Sequence, residues 1–205
     1  MTIYYKLTDA TGQTRNNTQW GPGVRHEATG PPDGVLCSDS WIHCYTDTLL
    51  AAFLNPVHGN FHAPRCWEVE IDGEVKTDHG LKVGARGVTT TREIPLPGVT
   101  HYQRVRFGIL CALAVYTDAA FVKWANAWLD GTDRTEAAAR VARLARVLAR
   151  VAEEVAAEAA ADAAVGVVWA AVEAARAAEA AAEAAAEAAP LDLVAIARKA
   201  MEEQP

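Results

Sequence analysis

Several absences bound this chain before any motif is read. Its four cysteines, Cys37, Cys44, Cys66 and Cys111, show no CxxC spacing, so neither a redox pair nor a common zinc module is written in the sequence. There is no P-loop, no GxGxxG and no GxSxG, which removes the motif-bearing nucleotide-binding and hydrolase classes. Basic charge is short: 19 Lys and Arg against 26 Asp and Glu leave a net charge of -7. Broad nucleic-acid binding needs the opposite balance. No run approaches 18 uncharged apolar residues, so no membrane span is expected. Residues 1–12 lack both a basic region and an apolar core, and the reading expects no secretory leader, reduced thiols and a cytoplasmic location.

What is abundant is alanine. Between Ala137 and Ala189, 28 of 53 positions are Ala, with one Gly (Gly166) and no Pro before Pro190. Alanine has the best helix propensity and the strong breakers are missing, so this stretch reads as helix. As one helix from Asp133 it would run roughly 85 Å at about 1.5 Å per residue. The alternative is a hairpin turning near Ala163 to Gly166. It would lay Arg140, Arg143, Arg146 and Arg150 beside Glu179, Glu183 and Glu187. Val141, Leu144, Leu148, Val151 and Val155 follow 3-4-3-4 spacing, the seam of a coiled coil. The stretch carries almost no chemistry and points to scaffolding or self-association, with a homo-oligomer among the outcomes.

Residues 1 to about 98 are rich in Gly, Pro, Thr and Asn and hold short β-prone runs. Ile3–Leu7 predicts a first strand. Cys66–Ile71 alternates and then meets Asp72-Gly73, a hairpin signal, with Glu74-Val75-Lys76 returning. Val88–Ile94 is β-branched and ends at Pro95. Thr46 or Asp47 caps a short helix over Leu49–Leu54 that Pro56 should stop. Gly84-Ala85-Arg86-Gly87 reads as a turn. Thr100 and Gln103 form a capping box for a helix with a buried face at Val105, Gly108, Ile109, Ala112, Leu113 and Tyr116. Asp118 caps a second helix, with Phe121, Trp124, Ala125 and Trp128 on one side. Asp133 and Glu136 make a further capping box, and Asp192 caps a last amphipathic helix. The expected fold is α+β: a small, mostly antiparallel sheet with packed helices over 1–130, then an Ala-rich helical extension over 131–205, as a hairpin or coiled coil.

The densest polar and aromatic segments are Leu36–Tyr45 and Asn55–Cys66. A metal could draw on His58, His62 and Cys66 with Cys37, His43 and Cys44, but Pro56, Gly59 and Pro64 deny the histidines a shared helical face, and no metal is assigned. A nucleophilic Cys44 would need a base and an orienting group, and His43 beside it on a strand faces the other way. The alternating carboxylates Glu68, Glu70, Asp72 and Glu74 read as a solvated face. The ligand-binding candidates are Tyr5, Trp41, His43 and Tyr45. No cofactor is specified.

Three segments carry a family resemblance: Tyr4-Tyr5-Lys6, Leu36-Cys37-Ser38-Asp39-Ser40-Trp41-Ile42-His43 and Thr89-Thr90-Thr91-Arg92-Glu93-Ile94-Pro95. Over about residues 1–110 the chain resembles an uncharacterised family of phage- and prophage-borne proteins. That family has a CS-x-G-[WF]-[IH]-H element, a W-E-V-E-like strand and a closing T-x-x-R-E-I strand. Ser40 stands where the pattern has Gly. The resemblance implies a mobile-element protein in the host cytoplasm and names no activity. A more distant likeness to ADP-ribosyltransferase-like folds casts Tyr5, His43, Tyr45 and Glu93 as site residues and implies NAD. The leading expectation is a non-enzymatic protein that binds a protein partner or itself. An NAD-using transferase and a metal-binding module are the alternatives.

Overall fold

The chain's two longest extended runs pair with each other. In the computed structural model, which describes residues 2–115, 117–135 and 191–202, β6 (Arg65–Asp78) and β7 (Lys82–Ile94) form one long antiparallel hairpin. The turn is at His79 and Gly80, both at positive φ, closed by Leu81 N–H donating to the Asp78 carbonyl at 2.7 Å. The sequence signal had placed the turn at Asp72-Gly73. There the structure has a bulge instead: Gly73 takes φ 75°, and the register shifts between Asp72 and Val75. A bulge absorbs one left-handed residue and bends the strand without ending it. The expected turn at Gly84–Gly87 is likewise overturned, for these residues lie inside β7. Gly84 is needed there because a Cβ would lie 2.5 Å from Leu36 and 2.9 Å from Trp41.

Around this hairpin the other strands close a ring. Strand β1 (Tyr4–Thr8) pairs with β6, and β5 (Ile42–Cys44) pairs with β7. An antiparallel bridge joins β1 to the end of β5: Tyr5 and Tyr45 exchange backbone hydrogen bonds of 2.9 and 2.7 Å. Strand β4 (Arg25–Glu27) extends the sheet along β7, and β2 (Gln13–Thr14) pairs with β3 (Thr18–Gln19) in a separate two-stranded hairpin. The hairpin is strongly coiled: Tyr5 pairs with Glu68, which faces Arg92 near the end of β7, and also bridges to Tyr45, whose neighbour Cys44 faces Val83 near the start of β7.

Alternation along β1 separates two cores. Lys6 and Thr8 face inward and are buried near Trp20, Cys44, Trp67, Val69, Val83, Ala85 and Val88. Trp67 donates its indole N–H to Thr8 Oγ1 at 3.1 Å. Leu7 faces outward onto a helix layer containing Leu50, Phe53, Leu54, Phe107 and Cys111. That layer is built from α1 (Thr48–His58), α2 (His101–Val115) and α4 (Leu193–Met201). On the far side of α2, α3 (Ala119–Leu129) packs through Phe121 and Ala125 onto Ile109.

The caps follow the sequence. Asp47 accepts from Leu49 N–H at 2.7 Å, Asp118 from Phe121 N–H at 2.8 Å and Asp192 from Ala195 N–H at 2.9 Å. The Thr100–Gln103 box is closed in both directions, at 2.9 and 3.2 Å. Pro56, expected to stop α1, lies inside it. A proline there removes the donor for the carbonyl four residues back. Arg104 supplies the substitute, donating to the Ala52 carbonyl at 2.6 Å. Asn55 then fixes the exit, donating to the Phe61 carbonyl at 3.0 Å and accepting from its N–H at 3.1 Å.

Composition alone assigns α4 to the extension, yet its Leu193, Ala197 and Ala200 are buried in the same cluster as α1 and α2. Two side chains of α2 hold its C-terminal carbonyls: Arg106 donates to Lys199 at 3.2 Å and Gln103 to Met201 at 3.5 Å. A cation at a helix C-terminus is also favoured by the helix dipole. The Ala-rich stretch, its hairpin or coiled-coil form and the Glu136 half of the capping box lie outside the described residues.

Candidate functional site

The outward-facing residues of β5 and its continuation are Trp41, His43 and Tyr45. Those of β7 beside them are Lys82, Gly84 and Arg86. The segment 28–40 lies over this row and is bound to it almost entirely through its backbone carbonyls. Arg86 donates to the carbonyls of Ser40, Ala28 and Gly30, the last at 2.9 Å. The Gly34 carbonyl accepts from the Trp41 indole at 2.9 Å and from Lys76 at 3.2 Å. His43 Nε2 lies 2.6 Å from the Leu36 carbonyl. A carbonyl can only accept, so this nitrogen carries a proton. Lys82 reaches the loop side chain of Cys37, Nζ to Sγ 3.3 Å.

Cations also flank the aromatic ring at the centre. Lys76 and Arg86 stand 5.3 and 5.7 Å from the centroid of Trp41, within the range of cation–π attraction. Val35, at the surface of the loop, is 73% exposed. Ordered loops on rigid strands are where binding surfaces concentrate.

Tyr5 and Tyr45 are brought together by the backbone bridge, and Trp41 and His43 lie in the same outward row. Trp41 and Tyr45 are themselves buried. The Tyr45 ring stacks on His58, centroids 5.9 Å apart, with its hydroxyl 3.2 Å from His58 Nδ1. The sequence alone does not place His58 in this group, because its partner Tyr45 follows β5 and is not a helical neighbour. Burial is the main cause that holds the pKa values of His58 and His43 down, and the positive charge of Lys82 adds to it. His58 falls to about 4. The Tyr5 phenol is moved up, by burial first and then by Glu68 and Asp47.

Lys6 comes from the opposite side of the sheet. Its Nζ donates to the His43 carbonyl at 3.1 Å and stands 4.6 Å from the Trp20 centroid. Enclosure inside the ring lowers its pKa. Three of the carboxylates named above form cross-strand pairs. Glu93 is gripped by Arg65 with Nε at 2.9 Å, Glu68 by Arg92 at 2.6 and 2.7 Å, and Asp72 by Arg25. A depression of about 210 Å³ beside this last pair is lined by Glu27, Ala28, Asp72, Arg86 and Gly87.

The metal reading's residues are dispersed. His62 is exposed, His58 lies under Tyr45, and Cys66 is buried on the helix side. Among the described residues no three His, Cys, Asp or Glu side chains converge in a way that could hold a metal ion. Among the same residues no helix is long and apolar enough to cross a membrane. Comparison with family models, with curated proteins and with solved structures gives no match. The chain is therefore described by its fold: an α+β protein with a coiled, mostly antiparallel sheet and helices packed against it.

Proposed function

We propose that the chain is a non-enzymatic interaction protein of the phage or prophage type, which self-associates through its Ala-rich segment, carried as a helical hairpin on the α+β body. One observation supports the hairpin. Just before the segment, Arg134 donates to the Tyr102 hydroxyl at 2.8 Å and stacks on the Tyr102 and Trp128 rings. Just after it, α4 is held at Met201 by Gln103, the next residue of α2. An uninterrupted helix over 136–190 would part its ends by about 80 Å at about 1.5 Å per residue. Attachment of both flanks to neighbouring residues of α2 favours an arm that goes out and returns. In such an arm the first-half arginines meet the late glutamates, and the Val/Leu seam is left for a second chain.

The test is the mass state of the whole chain. Native mass spectrometry should give a multimer. A variant in which residues 136–190 are replaced by a Gly/Ser linker of about 15 residues, long enough to reach roughly 20 Å, should be a folded monomer. The replacement must spare 191–202, since truncation at Gly131 would also strip Leu193, Ala197 and Ala200 from the core. Equal mass states for the two proteins would refute self-association through the segment. The same spectra, recorded with NAD present, would reveal a bound nucleotide if the transferase alternative held.

A further inference from the structure

The four cysteines are placed in opposite circumstances. Cys44, Cys66 and Cys111 are buried, whereas Cys37 is exposed on the loop over β5 and β7. Burial pushes the Cys44 thiol up to about 11 and Cys66 to about 12, and moves Cys111 in the same direction, so these three are poor nucleophiles. Cys37 is also not isolated. Its sulfur is 3.3 Å from the Nζ of Lys82, a side chain only 6% exposed and oriented by Asp78 at 3.2 Å. The two residues are 45 positions apart in sequence, on separate pieces of the fold.

We propose that Cys37 and Lys82 are a modification site for hydroperoxides, at which oxidation of the thiol is captured by the lysine amine as a sulfur–nitrogen cross-link. In the first step the sulfur attacks the peroxide O–O bond and takes one oxygen. Sulfur is oxidised by two electrons to the sulfenic acid, and the other oxygen leaves as water. In the second step the Lys82 ammonium passes one proton to the Asp78 carboxylate 3.2 Å away, which releases it to solvent, and the free amine attacks the sulfenic sulfur. The S–N bond forms, the S–O bond breaks, and the oxygen leaves as water with a proton from the amine. The net change is loss of two hydrogens from the protein and conversion of one hydrogen peroxide to two waters. No other thiol competes for the sulfenic acid from within the fold, because the remaining three are enclosed. The nearest nucleophile is the buried amine already in contact. The product ties the 28–40 loop covalently to β7.

The experiment treats the full chain with hydrogen peroxide and reads intact mass and a peptide map. The expected result is a species lighter by two hydrogens, in which the peptide containing Cys37 is joined to the one containing Lys82, and which a thiol reductant reverses. Cys37→Ser should show no cross-link. Lys82→Arg retains the charge beside Asp78 but lacks the nucleophilic amine. It should fold, lose the cross-link and carry oxygen on Cys37 instead. Oxygen addition at Cys37 of the unaltered chain with no joined peptides would overturn the proposal. A Cys37–Cys37 disulfide between chains would overturn it too, as would a cross-link that persists in Lys82→Arg.

Discussion

The inside of the strand ring and the helix side of the same sheet solve the burial problem differently. Inside, polar atoms are enclosed and individually matched: Lys6 to the His43 carbonyl, and Thr8 to the Trp67 indole. On the helix side the packed cluster is aliphatic and aromatic, with Arg104, Arg106 and Asn55 bonding backbone groups at helix breaks and ends, and small residues such as Ala51, Ala197 and Ala200 let α1 and α4 approach closely. Both cores are read from one strand, since Leu7 points one way and Lys6 and Thr8 the other. The directional hydrogen bonds of the interior fix register, because a one-residue slip of β1 would exchange the two sets. The helix side depends on volume, which is how a short, Ala-containing helix arriving from the end of the chain can complete it.

The largest effect that would break this comparison is Trp67→Ala. It removes a fully buried indole and the donor to Thr8, and should cost about 3–5 kcal/mol in urea denaturation. A loss below about 1.5 kcal/mol would mean that the ring interior relaxes and is not close-packed in the sense argued.

A second effect separates the two sides by pH. His58 has a folded pKa of about 4 against an ordinary 6.5, with burial as the first cause. Between those values the unfolded chain binds more protons than the folded one, so stability falls as pH drops from 6.5 towards 4. At about 1.4 kcal/mol per unit this histidine accounts for about 3.5 kcal/mol at most. His58→Gln should flatten that slope, leaving a smaller part from His43, whose pKa moves in the same direction. An unchanged slope would place the acid sensitivity elsewhere.

The smallest effect lies at the solvent-facing charges. The pairs Arg65–Glu93 and Arg92–Glu68 are exposed on at least one side. Double-mutant cycles should give roughly 0.2–1 kcal/mol each, fading with salt. Coupling well above that would mean that the solvent-facing charges stabilise the sheet as much as its enclosed polar contacts do.

Much of this was legible in the sequence, and the exceptions share a cause. Caps were readable because Asp47, Asp118, Asp192 and the Thr100–Gln103 box act within one turn of their own helices. The β-branched run at Val88–Ile94 was readable for the same local reason. Asp72-Gly73 misled because a positive-φ glycine serves a bulge as well as a turn, and the long pairing partner that decides between them is not local. Pro56 misled because its orphaned carbonyl is filled by Arg104, 52 residues away. At the candidate site, Trp41, His43 and Tyr45 were singled out from aromatic and polar density. Their neighbours Lys6, Lys76 and Lys82 were not, since as isolated cations in strands they carry no pattern, and Arg86 was read as part of a turn because two glycines flank it. The membership of α4 in the core was hidden by the alanine composition that precedes it.

The central claim is that one chain's own α4 completes the body that its Ala-rich segment leaves and rejoins. The most direct measurement is the distance between spin labels at Thr132→Cys and Glu202→Cys in a Cys37→Ser background, with labelled chain diluted into unlabelled. The account predicts a single short distance, about 30 Å or less. A distance near 80 Å, the span of an uninterrupted 55-residue helix at about 1.5 Å per residue, would contradict it and assign the α4 in each core to a second copy.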